Sequence, residues 1–247
     1  MSADRPQDVA GLRRAGRVVA ATLEVVAQAV EPGITTAALD RIAAGVFAAA
    51  GARSGPILTY GYPGAICISV DDEVVHGVPG RRALRAGQLV TLDVAAELDG
   101  YHADAALTLA VGSTDQAHRD LIAAAQAALA AGIRAAEPGN TLRDVGAAVE
   151  QTTNAHGFRV FRELTGHGIG RRMHEDPKVV NWPDPSATTR LVAGMVFTIE
   201  PMIGAGGTRI RIGRDGWTIR TTDRSHSAHA EHTIMVADGG AVVLTAP

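Results

Sequence analysis

The sequence predicts an α+β fold of two pseudo-symmetric α-α-β-β-β halves, with helices packed on one face of a curved, mainly antiparallel sheet. Three observations predict it. Glu31-Pro32-Gly33 followed by Thr35 recurs as Glu137-Pro138-Gly139 followed by Thr141, and the same offset carries Gly51 and Arg53 onto Gly157 and Arg159. Each Glu-Pro-Gly stands between two Ala/Val/Leu-rich stretches of helical character. Each helical pair then leads into runs of Val, Ile, Leu and Thr, the composition of strands. Matching punctuation at one offset marks an internal duplication, and so long a repeat marks two half-domains rather than a solenoid.

In chain order, Leu12 to Val30 is the first helix, stopped by Pro32 and Gly33, and Thr35 N-caps a second helix running to Ala50. Strands follow at Ala65 to Val70, Leu89 to Leu98 and Tyr101 to Val111. The second half repeats the order, with helices at Gln116 to Ala136 and Leu142 to His156 and Thr141 as the cap. Its strands are Met195 to Glu200, Trp217 to Thr221, His229 to Val236 and Val242 to Thr245. Arg171 to Arg190 and Gly204 to Asp215, rich in Pro, Asp, Asn and Gly, read as loops. The chain is expected to form one catalytic domain, 1–247, with a pseudo-repeat of roughly 8–111 and 115–247.

Composition narrows the function classes. A 46% hydrophobic and 20% charged chain is ordinary for a soluble domain and argues against global disorder. The net charge of −3 disfavours a strongly basic nucleic-acid binder. One cysteine, Cys67, excludes an intrachain disulfide and fits a reducing compartment. The opening MSADRPQDVAGLRRAGR has no apolar run or small-residue cleavage site, and no apolar stretch is long enough to span a bilayer. A cytoplasmic protein without membrane or direct nucleic-acid partners is expected.

The chemistry sits in carboxylates and histidines embedded in apolar sequence. Asp93 lies in Leu89-Val-Thr-Leu-Asp-Val-Ala and Asp104 in the next strand, and Asp99-Gly100 between them is a two-residue hairpin signal. That turn pairs Leu98 with Tyr101, places Asp93 opposite Ala106 and Ala95 opposite Asp104, and so sets the two aspartates on one face. They stand there as diagonal neighbours about 7–8 Å apart at the backbone. The hairpin alone fits either a metal-holding pair or two solvent-facing aspartates on an edge. Glu200 in Thr-Ile-Glu-Pro, Glu231 in Ala-Glu-His-Thr-Ile and His167 among glycines extend the set, with His174 following. Four carboxylates and an imidazole in such settings point to a common buried centre. Their oxygens and nitrogen suit Mn²⁺, Fe²⁺, Co²⁺ or Zn²⁺. Two such ions with bridging carboxylates can activate a water while polarising a carbonyl. Cys67 has no activating neighbour in sequence and reads as packing or pocket wall. Gly204-Ala-Gly-Gly207 lacks the Gly-Lys-Ser/Thr ending of a phosphate loop and reads as a turn.

From about Asp8 to the C-terminus, an ordered series of motifs resembles the type I methionine aminopeptidases, the bacterial form of the pita-bread metallopeptidases. The most specific pieces are Cys67-Ile-Ser-Val with His76-Gly-Val-Pro79, Thr91-Leu-Asp93-Val, His102-Ala-Asp104, Gly166-His167-Gly-Ile-Gly-Arg171 and Met173-His174-Glu175-Asp-Pro177. Phe197-Thr-Ile-Glu200-Pro-Met202, Asp215-Gly-Trp217-Thr and Ser227-Ala-His229-Ala-Glu231-His-Thr233 complete it. The resemblance implies a pita-bread fold and two divalent metal ions (Co, Mn, Fe or Zn). They would be held by Asp93 and His167 on either side, Asp104 and Glu231 as bridges, and Glu200. It implies removal of the N-terminal methionine from nascent chains when the second residue is small, by attack of a metal-bound hydroxide on the first peptide carbonyl. Glu200 would accept the proton, His174 would stabilise the tetrahedral intermediate, and His76 would contact the peptide nitrogen beyond the scissile bond. Tyr62, Cys67 and Trp217 match positions lining the methionine pocket, where a thioether suits aromatic and sulfur neighbours. It further implies a cytoplasmic monomer working near the ribosome.

Three positions depart from the family pattern. Thr59 stands where many bacterial relatives have Tyr, Met173 where Phe is usual, and His229 where Gln is usual. They bear on pocket shape and selectivity rather than on the metal chemistry. His229 precedes Glu231 by two residues and would share its strand face. There it would either hydrogen-bond near the metals and titrate, or stand in for glutamine as a neutral partner. Two other functions compete. An X-Pro aminopeptidase or prolidase has similar ligands but usually an extra N-terminal domain. A non-catalytic binding protein on this fold typically loses metal ligands, whereas all five positions here hold a competent donor.

Overall fold

Pro6 sits in the first turn of helix α1 (Pro6–Gln28), where its missing N–H costs nothing. The computed structural model describes Ala3 and residues 5–246. Residues 1, 2 and 4 of the opening read for a targeting signal, and 247 at the end of the expected domain, lie outside the described residues. Thr35 caps α2 (Thr36–Ala50) by accepting from the Ala38 N–H, and Gly51 ends it in the left-handed region with φ 66°. Then come β1 (Arg53–Ser54), the short α3 (Gly55–Tyr60), β2 (Cys67–Val70), β3 (Glu73–Val75) and the long hairpin β4 (Leu89–Leu98) and β5 (Tyr101–Ala110). Helices α4 (Gln116–Ala135) and α5 (Leu142–Ala155) open the second half. Thr141 and Asp144 form a reciprocal capping box on α5.

The remaining strands are β6 (Arg159–Val160), β7 (Gly166–Gly168), β8 (Glu175–Val179), β9 (Val196–Ile199), β10 (Met202–Gly204) and β11 (Ile210–Ile212). They end with β12 (Ile219–Thr221), β13 (Ser227–His229), β14 (Glu231–Ala237) and β15 (Gly240–Val243). The main sheet runs β1-β4-β5-β14-β9-β7-β8, with β2 on β4 and β15 on β14, all antiparallel. The helices cover its outer face. One core joins α1 and α2 to β2, β4 and β5 through residues such as Leu12, Val19, Leu39 and Leu92. The other joins α4 and α5 to β9 and β14 through Leu121, Val145, Phe197 and Ile234.

The duplication has a structural signature. Thr35 bridges to Ala83 and Thr141 to Arg190. Gly33 N–H donates to Leu84 O, and Gly139 N–H donates to Leu191 O. The predicted α+β architecture of two related halves is therefore present. The hairpin register is the one the Asp99-Gly100 turn dictates, with Asp93 opposite Ala106 and Ala95 opposite Asp104. Both turn residues have positive φ, 53° and 78°, as a type I′ turn requires.

Several elements differ from the sequence reading. The two expected loops each hold a strand, β8 and β11. Asp176-Pro177 in β8 hides an edge strand, where proline is tolerated because no neighbour needs its N–H. The expected strand from His229 to Val236 is broken at Ala230, so β13 pairs with β10 while β14 turns to pair with β5 and β9.

Candidate active site

The hairpin β4–β5 projects Asp93 and Asp104 from one face, as the register demands. Across the seam between the halves, Glu231 opens β14 opposite Ala106 of β5. Thr233 locks that junction: its Oγ1 accepts from the Asp104 N–H at 2.9 Å and donates to Asp104 O at 2.8 Å. Glu200 follows β9 directly and precedes Pro201, and Thr198 Oγ1 donates to its Oε1 at 2.7 Å. The same Thr198 hydroxyl accepts from the His167 N–H at 3.0 Å, so one side chain sets two site residues.

The glycines around His167 answer a packing need. A Cβ on Gly168 would lie 2.1 Å from Asp176 O, and one on Gly166 would lie 2.6 Å from Thr198 O. Only glycine lets β7 lie this close to both neighbours. The His167 Nδ1–H donates to Gly168 O at 2.9 Å, which leaves the Nε2 lone pair facing Glu200 Oε1 at 3.5 Å.

The donor atoms of Asp104, His167 and Glu231 lie within 4.8 Å of one another, as do those of Glu200, His229 and Glu231. Burial drives the carboxyls toward their neutral forms. Asp93 is raised to about 6, with hydrogen bonds to Asp104 and Cys67 opposing the rise. Glu200 is raised to about 8, with the Thr198 bond opposing and the charge of Asp93 adding. Asp104 and Glu231 are pushed well above the carboxylate range by burial and by each other's neighbours in the cluster. His167 is held down to about 3, first by burial and then by His174, so it is a neutral imidazole.

Asp104 Oδ1 and Glu231 Oε1 are buried without any hydrogen-bond partner. Buried carboxylate oxygens without partners are costly, and a divalent cation removes that cost. The oxygen-rich donor set with one neutral imidazole fits such a cation. The residues present therefore suit the metals that the sequence resemblance implies.

A cavity of about 270 Å³ opens onto this cluster. Its other wall holds Tyr62, Cys67, His76, Met173, His174 and Trp217, so the structure gathers every residue that the sequence singled out for the site. Tyr62 and Trp217 pack edge to face, with ring centroids 5.2 Å apart, and the Tyr62 hydroxyl donates to Gly77 O at 2.7 Å. Cys67 is paired with Asp93 in the β2–β4 register. Burial, then the charge of Asp93, push its thiol up, so it stays protonated as wall material. His76 sits just past β3 in the left-handed region, φ 57°, a strained position, and lines the cavity. His174 packs against His167, with ring centroids 3.9 Å apart and planes tilted by 41°.

Two features escaped the sequence reading. Tyr60, at the end of α3, lines the cavity, and its hydroxyl lies 2.7 Å from His174 Nδ1. Its sequence signal was an aromatic before Gly61, beside the substituted Thr59. His229 does not continue the strand of Glu231, because the chain breaks at Ala230. Its Nε2 still lies 3.5 Å from Glu231 Oε2. Burial holds His229 down to about 3, so it is neutral, and neither of its ring nitrogens makes a hydrogen bond, so the glutamine-like contact is not formed here.

Residues 10–238 match Peptidase_M24, metallopeptidase family M24. The chain is 41% identical over 234 residues to a methionine aminopeptidase of Clostridium perfringens, covering 95% of this chain and 94% of the relative. It is 40% identical over 247 residues to the methionine aminopeptidase of Escherichia coli, covering 99% and 94%. The crystal structure of methionine aminopeptidase from Thermotoga maritima superposes with a TM-score of 0.97 at 35% identity, covering 100% of both chains. The fold class read from the repeat is therefore the pita-bread fold, and the chain belongs to metallopeptidase family M24.

Proposed function

We propose that the chain acts as a type I methionine aminopeptidase, removing N-terminal methionine from nascent proteins and peptides when the second residue is small. The observation that carries this reading is the join of two unlike walls in one cavity. A buried cluster of four carboxylates and His167 faces an apolar, aromatic and sulfur-lined side built on Tyr62, Cys67 and Trp217. A metal held by the carboxylates would bind the free amine of the substrate, and the apolar side suits a flexible thioether beside it. Relatives about 40% identical over nearly the whole chain carry the same activity in their names.

Asp93, Asp104, His167, Glu200 and Glu231 would hold two divalent ions, of Mn, Fe, Co or Zn. Bound there, such ions supply an acidified water and polarise the scissile carbonyl. The protein's own groups do the rest. Thr198 anchors one oxygen of Glu200, and the free Oε2 takes the proton from the attacking water. His174, held by Tyr60 at Nδ1, donates from Nε2 to the carbonyl oxygen as negative charge develops there. His76, in the cavity wall, would contact the amide nitrogen of the next residue and orient the substrate. Tyr62, Cys67 and Trp217 enclose the methionine side chain and exclude water. On this reading the enzyme works in the cytoplasm, as a monomer, on chains leaving the ribosome. No helix among the described residues is long and apolar enough to cross a membrane.

Metal add-back tests the proposal. Chelator-stripped protein is assayed on Met-Ala-Ser, Met-Leu-Ser and Ala-Pro substrates with Mn²⁺, Fe²⁺, Co²⁺ or Zn²⁺. Metal-dependent release of Met from Met-Ala-Ser, with little from the others, is the expected result. Ala-Pro cleavage would replace this reading with the X-Pro one. Asp104→Asn and Glu231→Gln should each abolish turnover and leave the circular dichroism spectrum unchanged; near-normal turnover in either would refute the bridging roles.

A further inference from the structure

Among the described residues six large apolar side chains stand exposed, and three of them, Ile57, Leu58 and Tyr60, fall within the short helix α3. The other three, Val25, Val192 and Ile212, come one each from α1, the segment before β9, and β11. Single exposed apolar residues need no explanation, whereas a cluster of them marks a binding surface. Exposure is 49% for Ile57, 47% for Leu58 and 50% for Tyr60. No charged side chain occurs from Ser54 to Ile66.

The helix presents this surface firmly. Ser54 caps α3 by accepting from the Ile57 N–H, and its hydroxyl donates to Ala65 O at 2.7 Å. Pro56 stands in the first turn, and Gly61 closes the last with φ 66°. The surface is continuous with the catalytic cavity. Pro56 and Tyr60, one turn apart, both line it, and the Tyr60 hydroxyl lies 2.7 Å from His174 Nδ1. Tyr60, His76 and His174 are exposed lining residues, so the cavity meets solvent beside α3. Ile57 stands three residues before Tyr60, so the two share a flank of the helix. Leu58 follows on the side away from the cavity.

We propose that the exposed face of α3 is an extended substrate subsite, in which Ile57 and Leu58 receive the third and fourth residues of the peptide and favour apolar ones. This rests on the aminopeptidase reading above, in which the first two residues occupy the cavity and the scissile carbonyl sits against His174. An extended chain advances about 3.3–3.6 Å per residue, and side chains three apart on a helix stand about 5–6 Å apart. Two further residues of substrate therefore reach from Tyr60 past Ile57 toward Leu58. An apolar side chain laid there leaves water together with Ile57 and Leu58. An acidic one meets no cation on α3 and loses hydration without a partner. The gain is equal in the bound substrate and in the transition state, so it lowers KM and leaves kcat unchanged.

The test compares Met-Ala-Leu-Leu, Met-Ala-Ser-Ser and Met-Ala-Asp-Asp on metal-loaded enzyme. The expected kcat/KM is about three- to tenfold higher for the leucine peptide than for the serine peptide, carried by KM, with the aspartate peptide below both. Ile57→Ser and Leu58→Ser, combined, should bring the leucine peptide to the level of the serine peptide and leave turnover of Met-Ala-Ser-Ser unchanged. Both side chains are already exposed, so the double variant keeps its fold, which its Tm checks. Rates indifferent to the third and fourth residues, or a leucine preference that survives in the double variant, would overturn the subsite while Met release continues. A wild-type dimer that the double variant separates, with no peptide preference in either, would assign the surface to a second copy of the chain instead. No Met release from any peptide would overturn the aminopeptidase reading itself, and the subsite with it.

Discussion

Tyr60 holds His174 from behind, and that single hydroxyl contact is the most direct lever on the cavity's polar wall. Tyr60→Phe removes one hydrogen bond, a loss of about 0.5–1.5 kcal/mol. The expected outcome on Met-Ala-Ser is a kcat lower by about three- to tenfold with KM nearly unchanged, since the bond orients a group that acts on developing charge. An equal rise in KM would mean that Tyr60 binds substrate instead. His229 gives the opposite expectation. Burial keeps it neutral down to about pH 3, so it has no proton to gain in the working range. The pH profile of kcat/KM in His229→Gln should therefore match that of the wild type. A displaced limb in the variant would restore the titrating role. Of the five proposed metal-binding positions, the four carboxylates were legible because acids in apolar strand sequence are conspicuous, and His167 because it stands among glycines. Tyr60 was not, because nothing in a Thr-Tyr-Gly string tells which way an exposed aromatic turns.

At the level of elements, the caps carry a measurable share of stability. The Thr141 side chain and Asp144 satisfy each other's backbone donors at the start of α5. Thr141→Ala should cost about 1 kcal/mol, which lowers Tm by about 2–4 °C in a domain of this size, with kcat/KM unaltered. Thr141→Ser should restore most of it, as calorimetry of the three proteins would show. Helices and long strands were legible for related reasons: the Thr caps, the Glu-Pro-Gly stops and the Asp99-Gly100 turn are local signals with fixed meanings. The short strands were not. Arg53–Ser54, Gly166–Gly168 and Met202–Gly204 are two or three residues long, and pairing partners from remote segments make them strands. The break at Ala230 is of the same kind, since two different neighbours pull β13 and β14 apart.

For the whole molecule, the buried carboxyls link protons, metal and stability. Without a bound cation, Asp93 sits near 6 and Glu200 near 8, both above the ordinary carboxyl range. The folded chain then holds these protons more tightly than the unfolded chain does. Its stability is greatest below about pH 4 for these groups and declines as pH rises through about 8. Tm of chelator-stripped protein should thus be lower at about pH 8 than at about pH 5, and added Mn²⁺ or Zn²⁺ should reverse the order because metal binding gains from deprotonation. A stripped protein with equal Tm at both values would show that the cluster carries no such penalty. The cluster is also divided between the halves: Asp93 and Asp104 come from one, and His167, Glu200 and Glu231 from the other. Among the described residues, the two halves join in the main sheet where Glu231 and His232 pair with Ala106 and Ala105. Neither half owns the reaction. The core under α1 and α2 itself takes in Ile169, Val196 and Leu244 from the second half, and β3 pairs with β12. Heat or denaturant that parts the cluster therefore unpacks a core with it, and turnover and the far-ultraviolet signal should be lost together.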